Sequence, residues 1–204
     1  NPLEQTGAVV GIDLGIKDLA VCSNGMVFKN INKTKKVKKL KKRLKRFQKQ
    51  VSRKYELNKQ GNKFVKTNNI IKLEKRIKLL HRKLSNIRNN HIHQTTTKII
   101  KLNPYRVVME DLNVKGMMKN KHLSKAIQEQ GFYEFIRQMK YKCEFNGIQF
   151  IQADRYFPSS KLCSCCGSIK KDLKLKDRVY KCNCGLEIDR DKNASINLSN
   201  YGLA

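Results

Sequence analysis

The run Val9-Val10-Gly11-Ile12-Asp13-Leu14-Gly15 constrains this chain most. Val9, Val10 and Ile12 are β-branched and favour a buried strand. That strand then meets a carboxylate, Asp13, with a glycine on either side of the acidic step. A lone carboxylate at the end of a buried strand is costly to desolvate unless a cation answers it. The same grammar returns at Arg106-Val107-Val108-Met109-Glu110-Asp111, and a third acidic step, Asp189-Arg190-Asp191, stands near the C-terminus. Three well-separated acidic groups, two of them ending apolar strands, read as a divalent-metal site of the kind that cleaves phosphodiesters.

Between the first two acidic steps the chain is strongly basic. Its 204 residues carry 45 Lys and Arg against 16 Asp and Glu, a net charge of +29. An excess of that size predicts a polyanionic partner, nucleic acid first. Val37, Leu40, Leu44, Phe47 and Val51 are spaced by three and four, and so are Ile70, Leu73, Ile77, Leu80, Leu84 and Ile87. Each set is an apolar stripe on one helix. Polar residues 56–62, with Gly61, let the chain reverse between them. The expectation is an inserted antiparallel helical hairpin over 33–92 whose stripes zip together. Lys35, Lys36, Lys38, Lys39, Lys41, Lys42, Arg43, Lys45 and Arg46 on its first arm are expected to meet phosphates.

Strands are expected over 8–12, 19–22 and 26–28. Ser23-Asn24-Gly25 turns the last two, since Asn-Gly tolerates positive φ. An antiparallel meander with an acid on its first strand is how ribonuclease-H-like sheets begin. A helix is expected over 95–102, ending before Asn103-Pro104, then a strand over 105–109 and a mobile polar loop over 113–122. A helix over 125–143, with Phe132, Phe135, Ile136, Met139 and Cys143 on one face, leads to a strand over 148–153. His91 and His93 are assigned no chemistry.

Seven cysteines complete the pattern. Cys163-Ser164-Cys165-Cys166-Gly167 offers Cys163 and Cys166, and Cys182-Asn183-Cys184-Gly185 offers Cys182 and Cys184. The second knuckle is one residue short, so Cys165 stands as an alternative ligand. Four thiolates from two glycine-turned knuckles match a tetrahedral structural zinc site with no open position, in a reducing compartment. Residues 170–180 between them are expected to form a short hairpin. Cys22 and Cys143 fall on apolar faces and read as buried thiols. Asp189 can cap a helix beginning at Arg190, which sets Asp191 in the first turn, where backbone N–H groups favour an anion. The sequence has no signal peptide and no apolar run long enough to span a bilayer. It opens on Asn1-Pro2 with a strand almost at once, so a C-terminal portion of a longer protein is expected.

Gly11-Ile12-Asp13-Leu14-Gly15, Val108-Met109-Glu110-Asp111-Leu112-Asn113 and Asp189-Arg190-Asp191-Lys192-Asn193-Ala194 resemble the three RuvC motifs of the TnpB family. These are the OrfB proteins of bacterial insertion sequences, related to the type V CRISPR effectors. The two knuckles resemble that family's zinc ribbon, and Phe157-Pro158-Ser159-Ser160-Lys161 before them also fits. The resemblance implies an α/β fold: a ribonuclease-H-like (RuvC) mixed sheet flanked by helices over 1–162 and 186–204, with a zinc ribbon over 163–185. It implies catalytic Asp13, Glu110 and Asp191, the last being the acid just before x-Asn-Ala, with Asp189 next in line. The expected chemistry is phosphodiester hydrolysis with two Mg²⁺, Asp13 bridging both ions and Glu110 and Asp191 each completing one side. One structural Zn²⁺ is expected on Cys163, Cys166, Cys182 and Cys184. The implied protein is a transposon-encoded, RNA-guided DNA endonuclease, cytoplasmic and nucleoid-associated in a bacterium or archaeon. Its partners would be target DNA and guide RNA, with no membrane. Family members carry an N-terminal half that grips the guide and the motif flanking the target, and this chain reads as the nuclease half. The rival readings are a non-catalytic nucleic-acid binder and a strand-transferring transposase.

Overall fold

The apolar runs become a mixed sheet. A computed structural model describes residues 6–174 and 176–202; Asn1-Pro2 lie outside them. Strands β1 (Val9–Leu14), β2 (Asp18–Cys22) and β3 (Val27–Lys29) form the meander. Gly25 takes a φ of 94° in its turn, and Asn24 Oδ1 accepts the Met26 N–H at 3.1 Å. A short 3-10 turn, Ile31–Lys33, precedes α1 (Lys35–Leu57), which Thr34 caps by accepting the Val37 N–H at 3.4 Å. β4 (Lys59–Gln60) and β5 (Lys63–Phe64) make a small hairpin over Gly61. α2 (Asn68–Ile100) follows as one continuous helix. The separate helix expected over 95–102 is its last two turns, because no glycine or proline interrupts the chain before Pro104.

The chain continues through β6 (Arg106–Glu110), α3 (Val114–Met118), α4 (Ser124–Gln130), α5 (Phe132–Phe145), β7 (Gln149–Ala153), β8 (Val179–Lys181), β9 (Glu187–Asp189) and α6 (Arg190–Ser199). Three expectations change here. The loop over 113–122 contains α3, nucleated where Asn113 Oδ1 accepts the Gly116 N–H at 2.9 Å. The single helix over 125–143 is two helices, since Gly131 sits at a φ of 71°. A Cβ there would also lie 2.9 Å from Ile92 Cδ1, so glycine serves both the left-handed turn and the close approach. The hairpin expected over 170–180 is instead β8–β9, with Tyr180 opposite Ile188 and the second knuckle as its turn.

The molecule has two compact units, Asn1–Asn30 with Ile92–Ala204, and Ile31–His91. In the second, Val37, Leu44 and Phe47 of α1 close an apolar cluster with Leu80 and Leu84 of α2, extended by Leu40, Leu73, Ile77 and Ile87. The first unit holds the sheet, in the order β3-β2-β1-β6-β7. β1 runs antiparallel to β2 and parallel to β6, which is parallel to β7. On one face Val10, Ile12, Val107 and Met109 pack with Phe135, Met139 and Cys143 of α5 and with Ile92, Ile99 and Ile100. On the other, Val9, Val108, Ile151 and Ala153 pack with Leu198 of α6, Phe157 and Tyr201. No helix among the described residues is long and apolar enough to cross a membrane.

α6 lies almost in contact with the backbone of β1. A Cβ on Gly11 would fall 2.0 Å from the Ser195 carbonyl oxygen and 2.4 Å from the Ser199 nitrogen. Backbone cannot yield as a flexible side chain can. Gly11→Ala is therefore expected to cost about 3 kcal/mol or more through overpacking. A fall in melting temperature with early proteolysis near α6 would report it; an unchanged melt would show that α6 has room to shift.

Candidate active site

Strand pairing decides which acids meet. Ile12 lies opposite Met109 in the parallel β1–β6 pair, so one step further position 13 faces position 110. Side chains alternate along a strand. Ile12 and Met109 point into the α5 core, so Asp13 and Glu110 emerge on the α6 face. They do so at the carboxyl ends of adjacent parallel strands, where open α/β sheets bind ligands. α6 begins beside this edge and carries Asp191 in its first turn.

The electrostatics show that the acids feel one another. The Asp13 carboxyl is held well above the usual carboxylate range, first by burial and then by repulsion from Glu110 and Asp191. Arg190 opposes this and Asp189 adds to it. Among the described residues, neither Asp13 nor Asp191 makes a salt bridge. Their acidic neighbours are occupied. Asp189 Oδ1 accepts the N–H groups of Asp191 at 3.0 Å and Lys192 at 3.2 Å, and its Oδ2 lies 3.7 Å from Lys17 Nζ. Asp111 pairs with Arg155 at 2.6 Å. Lys192 is turned to the β2–β3 connection, where its Nζ donates to the carbonyls of Ser23 and, at 3.3 Å, Cys22.

Other residues support the site through hydrogen bonds. The buried Ser159 hydroxyl donates to Glu110 Oε1. Asn197 Nδ2 of α6 donates to the carbonyls of Ser159 and Leu162, both at 2.7 Å. Asn193 Nδ2 donates to the Leu162 carbonyl at 2.7 Å, and its Oδ1 accepts the Ser164 N–H at 3.1 Å. Gln130 Nε2 holds the turn after Asp13 by donating to the Gly15 carbonyl at 2.7 Å.

Carboxylate oxygens are what hard divalent cations take. Among the described residues, the acids form no group with all ligand atoms within 4.8 Å, as four thiols do.

The tight group is Cys163, Cys166, Cys182 and Cys184. Cys163 Sγ lies 3.7 Å from Cys184 Sγ, and Cys166 Sγ 3.6 Å from Cys182 Sγ. Gly167 and Gly185 turn the knuckles at φ of 72° and 91°. The shorter knuckle thus supplies both its thiols, and exposed Cys165 stands outside the group. The Cys182 thiol is held down to about 6, first by the Cys184 backbone N–H and then by the Ser168 hydroxyl. Such a set could hold a metal ion. Cys22 and Cys143, by contrast, are buried and pushed up to about 12 chiefly by that burial.

The basic residues Lys35, Lys36, Lys38, Lys39, Lys41, Lys42, Arg43, Lys45 and Arg46 all lie on α1, exposed except for half-buried Lys41. Lys42, Lys45, Arg46, Lys49, Gln50 and Arg53 line a groove of about 390 Å³. Arg43 and Arg46 lie over the Phe47 ring at 5.4 and 5.8 Å from its centroid.

Known proteins share these features. The family model OrfB_IS605, described as a probable transposase, matches residues 1–121, and the model of a Cas12f1-like TNB domain matches residues 132–198. A Streptomyces pristinaespiralis protein named as a candidate RNA-guided DNA endonuclease is 34% identical over 203 residues, covering 100% of this chain and 47% of its own. InsQ of Escherichia coli K12, named in the same way, is 31% identical over 219 residues, covering 100% of this chain and 51% of its own. A cryo-EM structure of a CRISPR-Cas12f ternary complex shares the fold with a TM-score of 0.71 at 24% identity, over 99% of this chain and 41% of that one. The chain spans about half the length of the curated relatives it matches.

The raised Asp13 pKa makes a stability prediction. Folded Asp13 keeps its proton to higher pH than unfolded Asp13. Stability therefore falls as pH climbs from the ordinary carboxylate range to the folded value, and stays low above it. Asp13→Asn escapes this loss. In Mg²⁺-free buffer it is expected to melt above wild type at neutral pH, with the gap closing as pH drops through the acid range. Superimposable melting curves across pH would count against crowding of the acids.

Proposed function

This chain belongs to the OrfB_IS605 family, and we propose that it is the nuclease portion of a transposon-encoded, RNA-guided DNA endonuclease with a RuvC-type, ribonuclease-H-like core. One observation carries the reading: Asp13 at a strand end feels Glu110 and Asp191 together, with no salt bridge to it among the described residues. In a chain of net charge +29 that binds polyanions, uncompensated acids at the sheet's centre repel the partner. A pure binding protein gains nothing from them. A hydrolase gains a place for divalent cations.

Asp13, Glu110 and Asp191 would hold two Mg²⁺. Bound there, such ions supply activation of water and stabilisation of the departing 3′ oxygen. The chain's own residues prepare the place. β1 and β6 fix Asp13 and Glu110 side by side. Asp189 caps α6, so Asp191 is free of that duty. The Arg155–Asp111 pair removes a further acid from the local field. Neither Cys22 nor Cys143 is a nucleophile, since both thiols stay protonated. The thiol group would take one structural Zn²⁺, closed to substrate. The α1 cations would follow the phosphates of a guide–target heteroduplex, with sequence read by base pairing.

Cleavage of single-stranded DNA with Mg²⁺ is the direct test. Asp13→Ala, Glu110→Gln and Asp191→Asn are each expected to lose on the order of 100-fold or more in rate. Activity equal to wild type in all three, or joined strands in place of cut ones, would overturn the reading. Binding gives a second test. Changing Lys38, Lys39, Lys42 and Lys45 to glutamine is expected to weaken DNA binding. It should also flatten the salt slope by about 0.7–0.9 for each phosphate that is no longer neutralised. An unchanged slope would mark those lysines as merely solvated.

A further inference from the structure

Ser159 reaches one carboxylate oxygen of Glu110 from a segment that α6 holds in place. Its hydroxyl donates to Glu110 Oε1 across 49 positions of sequence. It is buried, at 3% exposure, on the path between β7 and the first knuckle. Its own carbonyl accepts from Asn197 Nδ2 at 2.7 Å, and the same amide bonds the Leu162 carbonyl at 2.7 Å. Asn197 is itself 2% exposed, on the helix that carries Asp191.

These two bonds do different work. The Asn197 bond goes to the backbone at 159, so any side chain there keeps it. The hydroxyl bond goes only to Glu110. A carboxylate with one oxygen held by a fixed donor loses rotational freedom, and the other oxygen becomes the one presented to a cation. Glu110 lies at the end of its strand with no salt bridge among the described residues, so nothing ionic does this instead.

We infer that Ser159 is a positioning residue that orients Glu110 for divalent-cation binding, with α6 setting its place through Asn197. The inference rests on the metal-site reading above. Mg²⁺ binding to the purified chain, followed by calorimetry and by the Mg²⁺-induced rise in melting temperature, tests it. Ser159→Ala is expected to weaken Mg²⁺ binding roughly 10–100-fold while its Mg²⁺-free melting stays at wild type. Ser159→Thr keeps the hydroxyl and is expected to stay within about threefold of wild type. Asn197→Ala frees the Ser159 carbonyl, Leu162 keeping its bond from Asn193, and is expected to lower the Mg²⁺-free melt as well. Wild-type Mg²⁺ affinity in Ser159→Ala, or Thr as weak as Ala, would overturn the positioning role. Asp13→Asn and Glu110→Gln separate the two levels: if neither changes Mg²⁺ binding, the metal-site reading fails and takes this inference with it.

Discussion

The seating of α6 on β1 at Gly11 is the constraint on which the rest depends. A strand with side chains on both faces holds a helix away at side-chain distance. Here the helix backbone comes down to where a Cβ would be. That closeness places the first turn of α6 over the strand end and lets Asp191 act on Asp13. Leu198, Val108 and Ala153 then close the apolar contact beneath it. One missing methyl group thus links the local chemistry of a strand to a contact spanning most of the sequence.

The cost of that geometry is electrostatic. Three acids brought together in a partly desolvated place repel one another, and the Asp13 carboxyl records it. The surrounding structure limits the cost without cancelling it. Asp111 is given Arg155, Asp189 is given the α6 N–H groups and Lys17, and Lys192 is spent on backbone carbonyls. Cations are abundant in this chain, so a partner for Asp13 would have been easy to supply. Repulsion left standing where it could have been relieved supports the proposed divalent-cation site.

The strand-end acids were legible in the sequence because each follows a β-branched run. The two helical stripes were legible because apolar spacing alone fixes a face. What escaped depended on partners far along the chain. Gly131 breaks a helix that periodicity carries through, because its backbone takes a left-handed φ of 71°. The loop after Leu112 hides a short helix that rests on one asparagine cap. The β8–β9 hairpin brackets the second knuckle rather than lying over 170–180. Ser159 stands in a run covered by the family resemblance, yet its contact with Glu110, and that of Asn197 with the backbone, appear only when the fold buries them. Asp189 caps α6 and Asp191 sits in its first turn, as the spacing before Arg190 suggests.

The knuckle segment explains how order reaches α6. Among the described residues between Cys163 and Cys184, only Cys163 and Tyr180 are buried, a small apolar area for a fold of that length. A metal bound at the thiol group would supply binding energy as folding energy there. Both exits of the segment lead to the acids. On one side Leu162 and Ser164 are bonded to Asn193 and Asn197, and Ser159 reaches Glu110. On the other, β9 runs directly into α6, and the Arg190 N–H donates to the Arg178 carbonyl at 2.8 Å. Loosening of the thiol group would therefore reach the Ser159 contact on Glu110 through one exit and the start of α6 through the other, while Asp13 and Glu110 stay fixed on their sheet strands.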